Sequence, residues 1–209
     1  MENKSCSKLP NKYVLDYELD IIKDKKLLIK LNIYSFVLFA LVMSIYLLII
    51  KFTDKSLSLQ ELGNASLKML IFILLSILYI FAHEIVHAIV YKFYTKEKVK
   101  FGFHGMAASA SVPGVYFYKK PYLIIGLAPF IVFTILFIVP IFFLNGVDLL
   151  LLFLLIGTHI GGCIGDFFVS FKLLKYPDNT LIEDMGPSMR FYVETEKSSS
   201  DILWNLEND

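Results

Sequence analysis

Cysteine is scarce: Cys6 and Cys163 are the only two, one in a polar N-terminal segment and one in an apolar run, which excludes a disulfide scaffold and implies no oxidising compartment. Charge is scarce too. Asp, Glu, Lys and Arg make up 19% of the chain and hydrophobic residues 56%, against about 25% and about 45–50% in an average soluble domain. That excess excludes a water-soluble fold. Net charge is +1, and no cluster of Lys and Arg stands apart from the flanks of the apolar runs, so nucleic acid is not an expected partner. The first 30 residues hold no apolar run bounded by small residues; a cleaved signal peptide is not expected, and Cys6 lacks the preceding hydrophobic region of a lipoprotein site. No internal repeat is visible. With 209 residues there is no room for a separate soluble catalytic module, so any chemistry must be built into the apolar part.

Four apolar stretches are long enough to cross a hydrocarbon core of about 30 Å, which takes about 20 helical residues. They read as Leu31–Ile50, Leu67–Tyr91, Tyr122–Leu144 and Val147–Leu174. Asn145 and Gly146 alone join the last two, a tight turn that predicts antiparallel neighbours. The expected fold class is therefore an all-α membrane protein, a bundle of about four transmembrane helices with a cytoplasmic hairpin or re-entrant loop between spans two and three. Its expected parts are a membrane-surface segment over 1–30, the bundle over 31–174 and a cytoplasmic polar tail over 175–209. Within the first part Tyr13–Lys30 mixes apolar and charged residues and reads as a short helix or strand on the membrane surface. Lys197–Asp201 reads as a flexible polar run.

Seven basic residues precede the first span, six lie between spans two and three and four follow span four, whereas only Lys51, Lys55 and Lys68 fall on the opposite side. Short cytoplasmic loops carry the excess of Lys and Arg. The expectation is a multi-pass protein of the cell membrane, with both termini and the 92–121 loop in the cytoplasm.

Near the end of the second span stands His83-Glu84-Ile85-Val86-His87. Residues four apart share a helix face, so the two imidazoles can converge on one metal ion with Glu84 beside them to handle a proton. Zinc in a catalytic site takes three protein ligands, leaves a position for water and makes that water acidic enough to react near neutral pH. Glu84 would take the water proton and pass it to the leaving amine. Three ionisable residues within five positions of a spanning helix are costly unless they bind something or line a wet cavity.

On Phe81-Ala82-His83-Glu84-Ile85-Val86-His87-Ala88, the small-residue stretch Met106–Gly114, the span bearing Pro129, and Gly165-Asp166-Phe167, the chain resembles the zincin peptidase family of small bacterial membrane proteins, itself distantly similar to the site-2 proteases. The resemblance covers roughly residues 70–190. It implies an intramembrane zinc metallopeptidase in which His83, His87 and Asp166 are ligands, Glu84 is the base, Zn²⁺ is the cofactor, and the substrate is a membrane protein or peptide. Site-2 proteases carry Asn-Pro or Leu-Asp-Gly around the third ligand; here the context is Gly162-Cys163-Ile164-Gly165-Asp166-Phe167.

Depth in the bilayer bears on the third ligand. His87 precedes Lys92 by five residues and Asp166 precedes Lys172 by six, which at 1.5 Å per residue sets both about 7–9 Å above the same surface. His159 and Cys163 share a stripe with Asp166 and remain rivals, His159 about 10 Å deeper and Cys163 a soft ligand unusual beside two histidines in a peptidase.

Phe103–Tyr116, rich in small and then β-branched or aromatic residues, is either a hairpin whose edge an extended substrate could join or an ordinary loop, with His104 a surface or hairpin residue rather than a ligand. Gly157, Gly161, Gly162 and Gly165 mark close helix packing, or else a local break. Pro129 and Pro140 are expected to kink the third span. The alternative to a peptidase is a non-hydrolytic protein that binds or moves a divalent metal, or an accessory or immunity factor. Glu84 discriminates, because a binding site has no need of a general base.

Overall fold

Four helices are long and apolar enough to cross a membrane. They appear in a computed structural model that describes residues 4–53, 55, 58–63, 65–104 and 107–195. Helix α1 is Lys25–Phe52 and helix α3 is Ser66–Tyr94, with the short α2, Leu59–Gly63, between them. At 28 and 29 residues each long helix measures about 42 Å at 1.5 Å per residue, ample for a hydrocarbon core of about 30 Å. The third span is α4, Lys119–Ile138, continued by a 3₁₀ turn over Val139–Phe142 in which Pro140 takes a first-turn position where its missing N–H costs nothing. The fourth is α5, Gly146–Gly162, and α6, Ile164–Leu174. Gly146 opens α5 at φ +54°, a conformation in which Gly avoids the Cβ penalty.

The chain divides into two compact units: residues 29–83 with 129–165, and residues 1–28, 84–128 and 166–209. The first is helical. Its core joins Val42 and Tyr46 of α1 to Leu149 and Phe153 of α5, the Tyr46 and Phe153 rings 5.4 Å apart. A Cβ on Gly157 would lie 2.7 Å from the Phe39 ring, and one on Gly161 would lie 2.8 Å from Ser35 Oγ. These two glycines let α1 and α5 approach closely, as small residues do in membranes. A Cβ on Gly162 or Gly165 would meet open space, and between those two residues the span breaks at Cys163, whose ψ is near 1°. Both readings of the glycines therefore apply, to different residues.

The second unit corrects the all-α expectation, because it contains a sheet. Five antiparallel strands run in the order β1-β5-β6-β7-β2, namely Ser5–Cys6, Tyr116–Tyr118, Leu181–Asp184, Ser188–Glu194 and Tyr13–Asp20. Alternation of side chains across the pleat gives each face its own core. Phe117, Ile182 and Phe191 pair across β5, β6 and β7 and bury one face with Tyr91, Ile125 and Leu173; Tyr118, Leu181 and Tyr192 bury the other with Tyr13. With both faces covered, all four residues of β6 are buried. The segment Tyr13–Lys30, expected as a short helix or strand, holds the edge strand β2 and the start of α1, and the stretch read as a polar tail supplies β6 and β7. The run Lys197–Asp201 lies outside the described residues.

A separate two-stranded sheet, β3 (Lys100–His104) with β4 (Ala107–Ser111), forms a hairpin. Of the two readings of this region, the hairpin is the one the backbone adopts.

Candidate metal centre

Helix α3 carries Tyr79, His83, His87 and Tyr91 at successive spacings of four, a single stripe along one face. His83 and His87 are buried, and Glu84 is half-buried. In the sheet-bearing unit, His87 Nδ1 lies 2.9 Å from the Ile125 carbonyl oxygen of α4. A carbonyl only accepts, so Nδ1 carries the proton and donates it. Nε2 then faces Asp166 Oδ1 at 3.5 Å. The carboxylate is matched there either by an Nε2–H of a charged ring or, with the lone pair on Nε2, by a cation that both atoms bind. Asp166 is the third residue of α6, so the break at Cys163 begins the helix that presents it, and a carboxylate in a first helical turn is favoured by the helix dipole.

One turn beyond His87, Tyr91 Oη donates to Asp184 Oδ2 at 2.6 Å, Tyr122 Oη donates to the same oxygen at 2.7 Å, and the Gly186 N–H reaches Oδ1 at 2.7 Å. Asp184 is buried at the end of β6. Its carboxyl is held above the usual carboxylate range by desolvation, against the pull of those three donors. The cluster ties the end of α3 to the β6–β7 turn.

In the helical unit, Tyr79 Oη lies 3.1 Å from His83 Nδ1 and 2.8 Å from His159 Nδ1. His159 Nε2 lies 3.1 Å from Thr134 Oγ1, and Cys163 Sγ is 3.8 Å from His159 Nδ1. Of the residues named from sequence, the structure thus sets Asp166 against His87, keeps His83 one turn earlier on the same helix with its Nδ1 engaged by Tyr79, and occupies both ring nitrogens of His159 with hydroxyls. His104 lies in β3, its side chain outside the described residues.

Tyr79, Tyr91, Tyr122 and Asp184 were not anticipated. Tyr79 and Tyr91 had a readable signal, the spacing of four that continues the histidine stripe; Asp184 had none, since only the sheet brings it to α3.

Two imidazole nitrogens and a carboxylate oxygen make a donor set suited to zinc. A ligating histidine fixed by a backbone carbonyl on its other nitrogen is the usual support for such an ion. His87 has such a carbonyl on Nδ1. No curated protein and no solved structure matches the chain. A family model described as "Putative zincin peptidase" matches residues 76–181, from α3 through the first residue of β6. That stretch, half of the chain, contains the histidine motif, Asp166 and the hydroxyl partners of His159 alike, and the chain belongs to this family.

Proposed function

We propose that the protein is an intramembrane zinc metallopeptidase, with His83, His87 and Asp166 as ligands and Glu84 as general base. The observation that carries this reading is the approach of His87 Nε2 to Asp166 Oδ1 at 3.5 Å while Nδ1 is committed to the Ile125 carbonyl, on the turn that also bears His83 and Glu84. A zinc ion bound there supplies a Lewis acid that acidifies water and polarises a carbonyl. Glu84, adjacent in the same turn, accepts the water proton and returns it to the departing amine. Burial of His83 and His87 keeps bulk water away and strengthens every charge interaction inside.

The substrate class is a membrane protein or membrane-associated peptide, because the motif lies within a helix long and apolar enough to cross a membrane. Among the described residues β3 and β4 pair only with each other, so the hairpin offers strand edges on which an extended substrate can be held by backbone hydrogen bonds. The distribution of lysines supports cleavage near the cytoplasmic side.

Metal content and cleavage of membrane peptides by protein purified in detergent test the reading. His83→Ala, His87→Ala and Asp166→Ala are expected to lose most bound zinc, while Glu84→Gln keeps the metal and loses hydrolysis by a factor of about 10²–10⁴. Full activity in Glu84→Gln would remove the base, and full zinc in Asp166→Ala would remove the third ligand. Zinc binding without cleavage in the wild type would favour a metal-binding role instead.

A further inference from the structure

A histidine buried to 1% exposure in a spanning helix needs a reason, and His159 has no part in the chemistry proposed above. Its surroundings supply one. Tyr79 Oη sits between two imidazole Nδ1 atoms, that of His83 at 3.1 Å and that of His159 at 2.8 Å. A phenol has one proton to donate, so it can donate to only one of the two rings while accepting from the other. The proton positions on the two histidines are therefore linked through Tyr79.

The reading of His83 as a ligand sets the direction. A metal held on His83 Nε2 requires the proton on Nδ1, which donates it to Tyr79 Oη. Tyr79 then donates to His159 Nδ1, and a neutral His159 keeps its own proton on Nε2, where Thr134 Oγ1 lies at 3.1 Å to accept it.

We infer that Tyr79 and His159 are positioning residues that hold His83 in the tautomer and ring orientation required for metal binding through Nε2. The inference rests on the reading of His83 as a ligand. It gives His83 the kind of support that the Ile125 carbonyl gives His87: a fixed acceptor for Nδ1–H, so that Nε2 is the nitrogen offered to a metal. Such partners of metal ligands tune affinity because they fix the ring and raise its basicity. Cys163 Sγ, 3.8 Å from His159 Nδ1, adds a weak second donor to the same nitrogen.

The test compares zinc affinity, by chelator competition, and the visible absorption spectrum of the Co²⁺-substituted full-length protein. Tyr79→Phe and His159→Leu are each expected to weaken zinc binding about 10–100-fold and to shift the cobalt bands. His159→Asn, whose amide oxygen can accept the Tyr79 proton, restores most of the affinity. The double variant Tyr79→Phe with His159→Leu is no weaker than the weaker single, because both break one chain of hydrogen bonds. Equal affinity in His159→Leu and His159→Asn, or wild-type affinity and spectrum in Tyr79→Phe, overturns the relay. His83→Ala separates this from the underlying reading: if it binds zinc like the wild type, the metal centre itself is wrongly assigned, whereas loss of zinc in His83→Ala with no change in the Tyr79 and His159 variants rejects the relay alone.

Discussion

Three donors converge on the buried carboxylate of Asp184, and its replacement by Asn tests how that cluster is balanced. An amide has one acceptor oxygen, so Asp184→Asn leaves at least one of the Tyr91, Tyr122 and Gly186 donors poorly matched, at a cost of about 1–3 kcal/mol. The pH dependence has a definite sign. Desolvation holds the folded pKa of Asp184 above its unfolded value near 3.8, so the folded state binds that proton more tightly. The corresponding stability is complete below the unfolded pKa and is lost as pH rises through the folded one. Asn lacks this titration, so the gap in melting temperature between wild type and Asp184→Asn should narrow as pH is raised from about 4 towards 7. A gap that widens over that range would mean that the three donors outweigh burial. His83, Glu84 and His87 were legible in the sequence because their relation is local, a spacing of four on a helix. Asp184 was not, because its meeting with Tyr91 spans 93 positions.

The fourth span is built from two helices, and its glycines divide the work between them. Gly161 lies so close to α1 that a Cβ would approach Ser35 Oγ to 2.8 Å and the Ser35 carbonyl oxygen to 3.1 Å. Backbone cannot yield cheaply, so Gly161→Ala is expected to lower stability by about 1–3 kcal/mol through overpacking. Gly162→Ala meets open space and should leave stability within about 0.5 kcal/mol of wild type or slightly above it. Thermal unfolding of the two variants in the same detergent checks the contrast, and equal losses would remove close packing as the reason for Gly161. The cluster of glycines was visible in the sequence; which of them pack and which flank the break depends on whether a neighbour stands opposite, and composition does not carry that. The break matters for the proposed chemistry, because it starts α6 at Ile164 and places Asp166 in a first turn rather than in the middle of a continuous span.

At the scale of the molecule, the distribution of Lys and Arg sets an expectation for orientation. Single-cysteine variants on a background of Cys6→Ser and Cys163→Ala, labelled in intact cells with a membrane-impermeant maleimide, should react at Thr53→Cys and be protected at Lys12→Cys and Lys96→Cys. External labelling at position 96 would put the proposed chemistry near the opposite face. The sequence by itself determined the four long apolar helices, the positions of their ends to within six residues, and the turn that brings two histidines and a glutamate onto one face. Each of these depends on hydrophobic runs or on spacing along one helix, and both are written locally. Only the tertiary structure decided that the chain is not all-α. The strand Leu181–Asp184 is four residues long, mixes apolar with acidic side chains and is covered on both faces, so it shows neither an apolar run nor the alternation that marks a half-exposed strand. The tertiary structure alone likewise supplied the partners of the motif. The Ile125 carbonyl, Asp184 and His159 reach α3 and its tyrosines from elements 38, 93 and 80 positions away, and such meetings follow from packing of whole elements rather than from any short stretch of chain.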